Sequence, residues 1–127
     1  MMECRESFKT IAIDFDATIT DYKKFQGKCI FDSPLEGARE SIQKLKEKGW
    51  LIIIYTTRAE SFAIREYLEK FGIPFDYINH NPYNAKFDCS LVKPKADVYL
   101  DDRAITFTGD WRKALEEIEN FAEWWKK

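Results

Sequence analysis

Apolar and polar positions along this chain fall into blocks whose period switches between strand-like and helix-like. Lys9 to Asp14 is a short β-rich run ending in acid, and it reads as a buried strand. A polar loop follows from Thr20 to Phe31. Ser33-Pro34-Leu35-Glu36 carries the marks of a helix start, with Ser33 as cap, Pro34 at the first helical position and Glu36 closing a capping box. Leu35, Ala38, Ile42 and Leu45 then recur at helical spacing, and Gly49 is a natural terminator. Leu51 to Tyr55 is continuously apolar, as expected of a strand covered on both faces. A second amphipathic helix carries Ala63, Ile64, Tyr67, Leu68 and Phe71 and stops at Gly72. Phe75 to Ile78 reads as a short third strand, 79–95 as a loop, and Ala96 to Leu100 as a further strand ending at Asp101-Asp102. A last helix places Trp111, Ala114, Leu115, Ile118, Phe121, Ala122 and Trp125 on one stripe.

This order predicts a Rossmann-like three-layer α/β/α fold with a mainly parallel sheet. Residues 1–127 suffice for one domain, and no repeat or linker interrupts them. Only about 30 residues separate the first strand's loop from the second strand, and most form one helix, so there is no room for a cap domain. The formal net charge of −2 disfavours nucleic acid as a partner, and no apolar run is long enough to span a bilayer. Cys4, Cys29 and Cys89 are odd in number and form no CxxC pair, which points to free thiols in a reducing compartment, the cytoplasm by default.

In parallel sheets of this kind ligands bind beyond the carboxyl ends of the strands, and there the polar residues gather. The first strand ends in Asp14, with Asp16 just beyond; the second ends in Thr56-Thr57-Arg58; the last ends in Asp101-Asp102 and is preceded by Lys93 and Lys95. Carboxylates brought this close repel one another unless a cation neutralises them, and an all-oxygen donor set suits Mg²⁺. The set fills the needs of phosphoryl transfer. Asp14 is the nucleophile, Asp16 the general acid and base, Thr56 a hydroxyl donor and Lys93 a cation for phosphoryl oxygens, and Asp101 with Asp102 a metal anchor. Each has a plainer reading: Asp-x-Asp also suits a turn, and Thr56 or Thr57 can cap a helix. Arg58 either touches substrate phosphate or pairs with a helix carboxylate. Arg103 reads as structural, His80 as a surface residue, and Trp124 and Trp125 as packing or surface residues.

The run Asp14-Phe15-Asp16-Ala17-Thr18, then Thr56, Lys93 and Asp101-Asp102, resembles the haloacid dehalogenase-like superfamily of phosphatases, small capless type. The resemblance spans residues 10–102. It implies Mg²⁺ held by Asp14, the backbone carbonyl of Asp16 and a carboxylate at Asp101, and it favours Lys93 over Lys95 as the phosphate lysine. Position 17 is Ala where that family usually has Gly; activity is expected to survive, since Ala tolerates many backbone shapes. The expected substrate is a small phosphomonoester at an open site, and a homo-oligomer with a neighbouring subunit as lid is compatible with it. A receiver-like phosphoacceptor is the main rival, but there the acidic pair comes early and the phosphorylated Asp in the middle. A catalytically weak phosphate-binding protein is the other. The glycines match neither dinucleotide nor P-loop patterns.

Overall fold

The computed structural model describes residues 9–83 and 93–126. The sheet is built from β1 (Thr10–Asp14), β2 (Leu51–Tyr55), β3 (Tyr77–Ile78) and β4 (Val98–Leu100). Helix α1 (Ala38–Glu47) joins β1 to β2, α2 (Ser61–Lys70) joins β2 to β3, and α3 (Trp111–Glu119) follows β4. All the pairings are parallel, in the order β3-β2-β1-β4. The predicted α/β Rossmann-like fold is therefore present. Beyond the sequence expectation, β3 and β4 are shorter than the runs that predicted them. The expected loop over 79–95 lies partly in 84–92, outside the described residues, as do Cys4 and Cys89; Cys29 is an exposed free thiol.

β1 and β2 pair in register, Ile11 with Ile52 and Ile13 with Ile54. These four side chains share a face with Ile42 of α1 and with Ile64, Tyr67 and Leu68 of α2, and together they form the main core. Ala12 and Ile53 point to the other face and are also fully buried, as continuous apolar strands require. Each buried isoleucine contributes about 1.5–3 kcal/mol. Val98 and Leu100 pair with Ile11 and Ile13, so they lie on the face of α1 and α2. They remain 43% and 51% exposed.

Helix α1 begins later than the capping-box pattern predicts. Its N-cap is Gly37, in a left-handed conformation with no side-chain cap. The reason is a competing contact: Pro34 bridges Thr20, Leu35 N–H donates to the Ile19 carbonyl, and Asp21 N–H donates to the Ser33 carbonyl. Residues 33–35 are thus committed to the loop after β1. Helix α3 has a true cap, Asp110, which accepts from the backbone N–H groups of Arg112 and Lys113. It ends at Glu119, so Phe121, Ala122 and Trp125 of the predicted stripe fall outside it, and of its own residues only Ala114 is buried. No helix among the described residues is long and apolar enough to cross a membrane.

Candidate active site

The chain leaves β1 toward β2 on one side and returns to β4 on the other, so the strand order switches direction between β1 and β4. Their carboxyl ends carry Asp14 and Asp101-Asp102. The switch point is where a crevice opens in such sheets.

After Asp14 the backbone folds back sharply. The Phe15 carbonyl accepts from the N–H groups of Thr18, Ile19 and Thr20, at 3.4, 2.9 and 3.1 Å. The fully buried Phe15 ring anchors this turn edge-on against Phe31 and Tyr67. The Thr18 hydroxyl donates to Asp14 Oδ2 at 3.4 Å, steadying the loop as its place in the motif suggests. Ala17 sits at the apex with φ of 63° and is 2% exposed. That conformation explains why glycine suits the position: an L side chain in the left-handed region costs about 1–2 kcal/mol. Alanine does take up the shape required here, with strain.

Carboxylate oxygens of Asp14, Asp101 and Asp102 lie within 4.8 Å of one another. Burial, a hydrogen bond with Asp102 and the charges of Asp101 and Asp102 push the Asp14 carboxyl up to about 8. The Asp102 side chain is only 4% exposed. A partly buried, all-oxygen cluster of this kind fits a hard divalent cation, which would relieve the repulsion. Asp101 is fixed twice, by the Tyr55 hydroxyl on Oδ2 and by the Arg103 N–H on Oδ1. Tyr55 is the β2 residue in register with Asp14. Burial and the bond to Asp101 raise its own ionisation well above the normal range, so it acts only as a donor.

Asp14, Asp16, Thr56, Thr57, Asp101 and Asp102 line one cavity of about 390 Å³, joined by Tyr22, Tyr55 and Arg103. The sheet edge thus brings together six of the eight residues expected at the site. Asp16 turns its carboxylate away from the acidic cluster toward Arg58, whose Nε donates to Asp16 Oδ2 at 2.7 Å. Arg58 is buried rather than directed at the cavity. Its guanidinium lies 4.8 and 5.3 Å from the Phe31 and Phe25 ring centres and donates to the carbonyls of Gly27 and Lys28. Its partner is a carboxylate of the site itself, neither a free phosphate position nor a helix carboxylate. Thr56 is held by two bonds, its N–H to Asn79 Oδ1 and its Oγ1 accepting from Arg58 N–H. Lys93 lies outside the cavity lining, with Nζ 4.4 Å from the Tyr99 ring centre.

Trp124 and Trp125, expected as packing or surface residues, pack against the site itself. Trp124 Nε1 donates to the Ala17 carbonyl at 2.8 Å and Trp125 Nε1 to Asp102 Oδ2 at 3.4 Å. Arg103 pairs with Glu123 at 2.9 Å. Two indoles more than 100 positions from the first motif therefore brace both halves of the site. Nothing local in the sequence signals such a contact. Tyr55 was detectable in principle, because the strand-end residue in register with Asp14 had to face the acidic cluster or its back.

The fold and this site define a small α/β protein with an acidic crevice at its topological switch point. No family model matches the sequence, and no curated protein matches it. Among solved structures, the chain is similar to a conserved protein from Bacteroides thetaiotaomicron, with a TM-score of 0.62 and 26% identity over 89% of this chain and 91% of that one. It is also similar to a protein from Vibrio cholerae, with a TM-score of 0.51 and 23% identity over 89% of this chain and all of that one. The first is described only as conserved, so these likenesses carry the fold and no reaction.

Proposed function

We propose that this protein is a magnesium-dependent phosphohydrolase of the haloacid dehalogenase-like type, acting on small phosphomonoesters. The observation that carries the reading is the convergence of Asp14, Asp101 and Asp102 at the carboxyl ends of β1 and β4. Asp14 attacks phosphorus and the bond to the leaving oxygen breaks, giving an aspartyl-phosphate. Asp16 delivers a proton to the departing alkoxide, then takes one from the water that hydrolyses the acyl-phosphate. Asp101 and Asp102, with Asp14 and the Asp16 carbonyl, would hold Mg²⁺, whose charge favours the ionised nucleophile and offsets charge on the phosphoryl group. Thr56 and Thr57 offer donors from the cavity wall. Lys93 enters through the order of motifs alone, whereas Arg103 is a cation already in the wall.

The cavity volume is commensurate with a small ligand. A cytoplasmic setting fits the free Cys29 thiol. One second reading has an observation in its favour. Because Arg58 engages Asp16, a phosphoacceptor whose adduct persists is the alternative. A phosphomonoester panel with Mg²⁺ or chelator, run beside Asp14→Asn, tests the main reading: hydrolysis that needs both Mg²⁺ and Asp14 is expected. Hydrolysis surviving in Asp14→Asn would sink the covalent mechanism. A lasting acetyl-phosphate adduct without turnover would favour the alternative.

A further inference from the structure

Helix α3 leaves its apolar stripe in solvent. Trp111 is 74% exposed, Leu115 55% and Ile118 54%, and the Phe107 ring packs 5.1 Å from Trp111 while itself 52% exposed. Positions 111, 115 and 118 lie on one side of a 3.6-residue helix, so the strip is continuous. With aromatic side chains offering roughly 150–250 Å² each, these exposures leave on the order of 450 Å² of apolar surface. A patch of this size equals the largest found on typical monomers, and such patches are often functional. We infer that α3 is the contact of a two-fold dimer in which the helices of two copies of this chain pack antiparallel through Trp111, Leu115 and Ile118.

Area and charge both favour a second copy. A stable interface takes about 800 Å² from each partner, somewhat under two-thirds of it apolar, which is close to what this strip and its rim supply. A two-fold contact must also be self-complementary. Arg112 and Glu119 lie seven residues apart, two helical turns, on the same flank of the stripe. An antiparallel pairing centred near Leu115 brings Arg112 beside Glu119 of the partner subunit, twice by symmetry. The same register sets Trp111 against Ile118 of the partner subunit. A parallel pairing would stack arginine on arginine and glutamate on glutamate. No residue of α3 lines the acidic cavity.

Sedimentation velocity on the full chain over a concentration series tests this. The native chain is expected to show a reversible monomer–dimer equilibrium, and Leu115→Glu to raise the dissociation constant at least about 100-fold by burying a charge at the contact. Arg112→Glu, at an exposed position where folding is not at stake, is expected to weaken the dimer about tenfold. Combining it with Glu119→Arg should restore the native value. Circular dichroism and thermal melts confirm that each variant is folded. A native chain that stays monomeric throughout, or a dimer indifferent to Leu115→Glu, overturns the proposal. A double charge swap that weakens the dimer as much as the single change overturns the antiparallel register.

Discussion

Replacing Asp14 with Asn should make the metal-free protein more stable, although it removes the proposed nucleophile. In the absence of a cation, the folded state must protonate Asp14 or hold it ionised beside Asp101 and Asp102. Its carboxyl is raised from 3.8 to about 8 by burial and by these neighbours. The sign follows from proton binding. Below about pH 4 the folded and unfolded states are both protonated and the term vanishes; as pH rises toward 8 the unfolded state gives up its proton and the folded state retains it, so stability falls. Taken in full, such a shift corresponds to at most about 6 kcal/mol. Two charges 4.8 Å apart repel by about 3 kcal/mol at an intermediate dielectric. Because the cavity opens to water, we discount to about 2 kcal/mol at pH 8. For a chain of this length that is a melting-temperature gain of roughly 7 °C for Asp14→Asn in chelator, shrinking toward zero below about pH 4. Mg²⁺ at ten times its dissociation constant should stabilise the native chain by about 1.4 kcal/mol and the variant by much less. Differential scanning calorimetry across pH, with EDTA or MgCl₂, reads all of this. A variant less stable than native in EDTA at pH 8, or equal stabilisation of both by Mg²⁺, would refute the reasoning.

Three further outcomes follow from individual contacts. Ala17→Gly should relieve left-handed strain and, after the added flexibility of the unfolded chain, gain about 0.5–1 kcal/mol in urea denaturation; a loss would show that the Ala17 methyl is packing productively. Arg58→Met should cost about 2–3 kcal/mol by the same method, because the buried guanidinium is paired with Asp16 and seated on two aromatic rings. Tyr55→Phe should weaken Mg²⁺ binding about tenfold in isothermal titration by freeing Asp101 from its orienting donor, with little change in fold stability; unchanged affinity would remove Tyr55 from the site.

What the sequence disclosed and what it concealed divide along physical lines. The continuous run Leu51 to Tyr55 could only be a doubly covered strand, and the alternation of strands and helices left a parallel sheet as its simplest solution. Parallel pairing then forced Asp14 and Asp101-Asp102 to one edge. The helix start was misplaced because capping patterns describe local preference, and Pro34 was recruited by a non-local partner, Thr20. The fate of Arg58 was hidden for a similar reason. Its partners, Asp16, Phe25, Phe31 and the carbonyls at 27 and 28, come from a loop whose path no periodicity encodes. Trp124 and Trp125 were invisible as site residues because their value depends on the distance between chain ends in space. The left-handed turn at Ala17 was legible only as an anomaly, alanine at a place where glycine would be unstrained.

The claim that the acidic crevice performs phosphoryl transfer rests on Asp14 as the atom that accepts phosphorus. Its most direct test is to mix the protein with a hydrolysable phosphomonoester and Mg²⁺, quench in acid, and locate any phosphate by peptide mass spectrometry. The account predicts a transient phosphoryl group on the peptide containing Asp14, absent in chelator and in Asp14→Asn, and, with an aryl phosphate whose leaving group departs without a proton donor, accumulating in Asp16→Asn where the water-activating base is missing. Turnover with no such adduct even in Asp16→Asn, or an adduct on another residue, would contradict it.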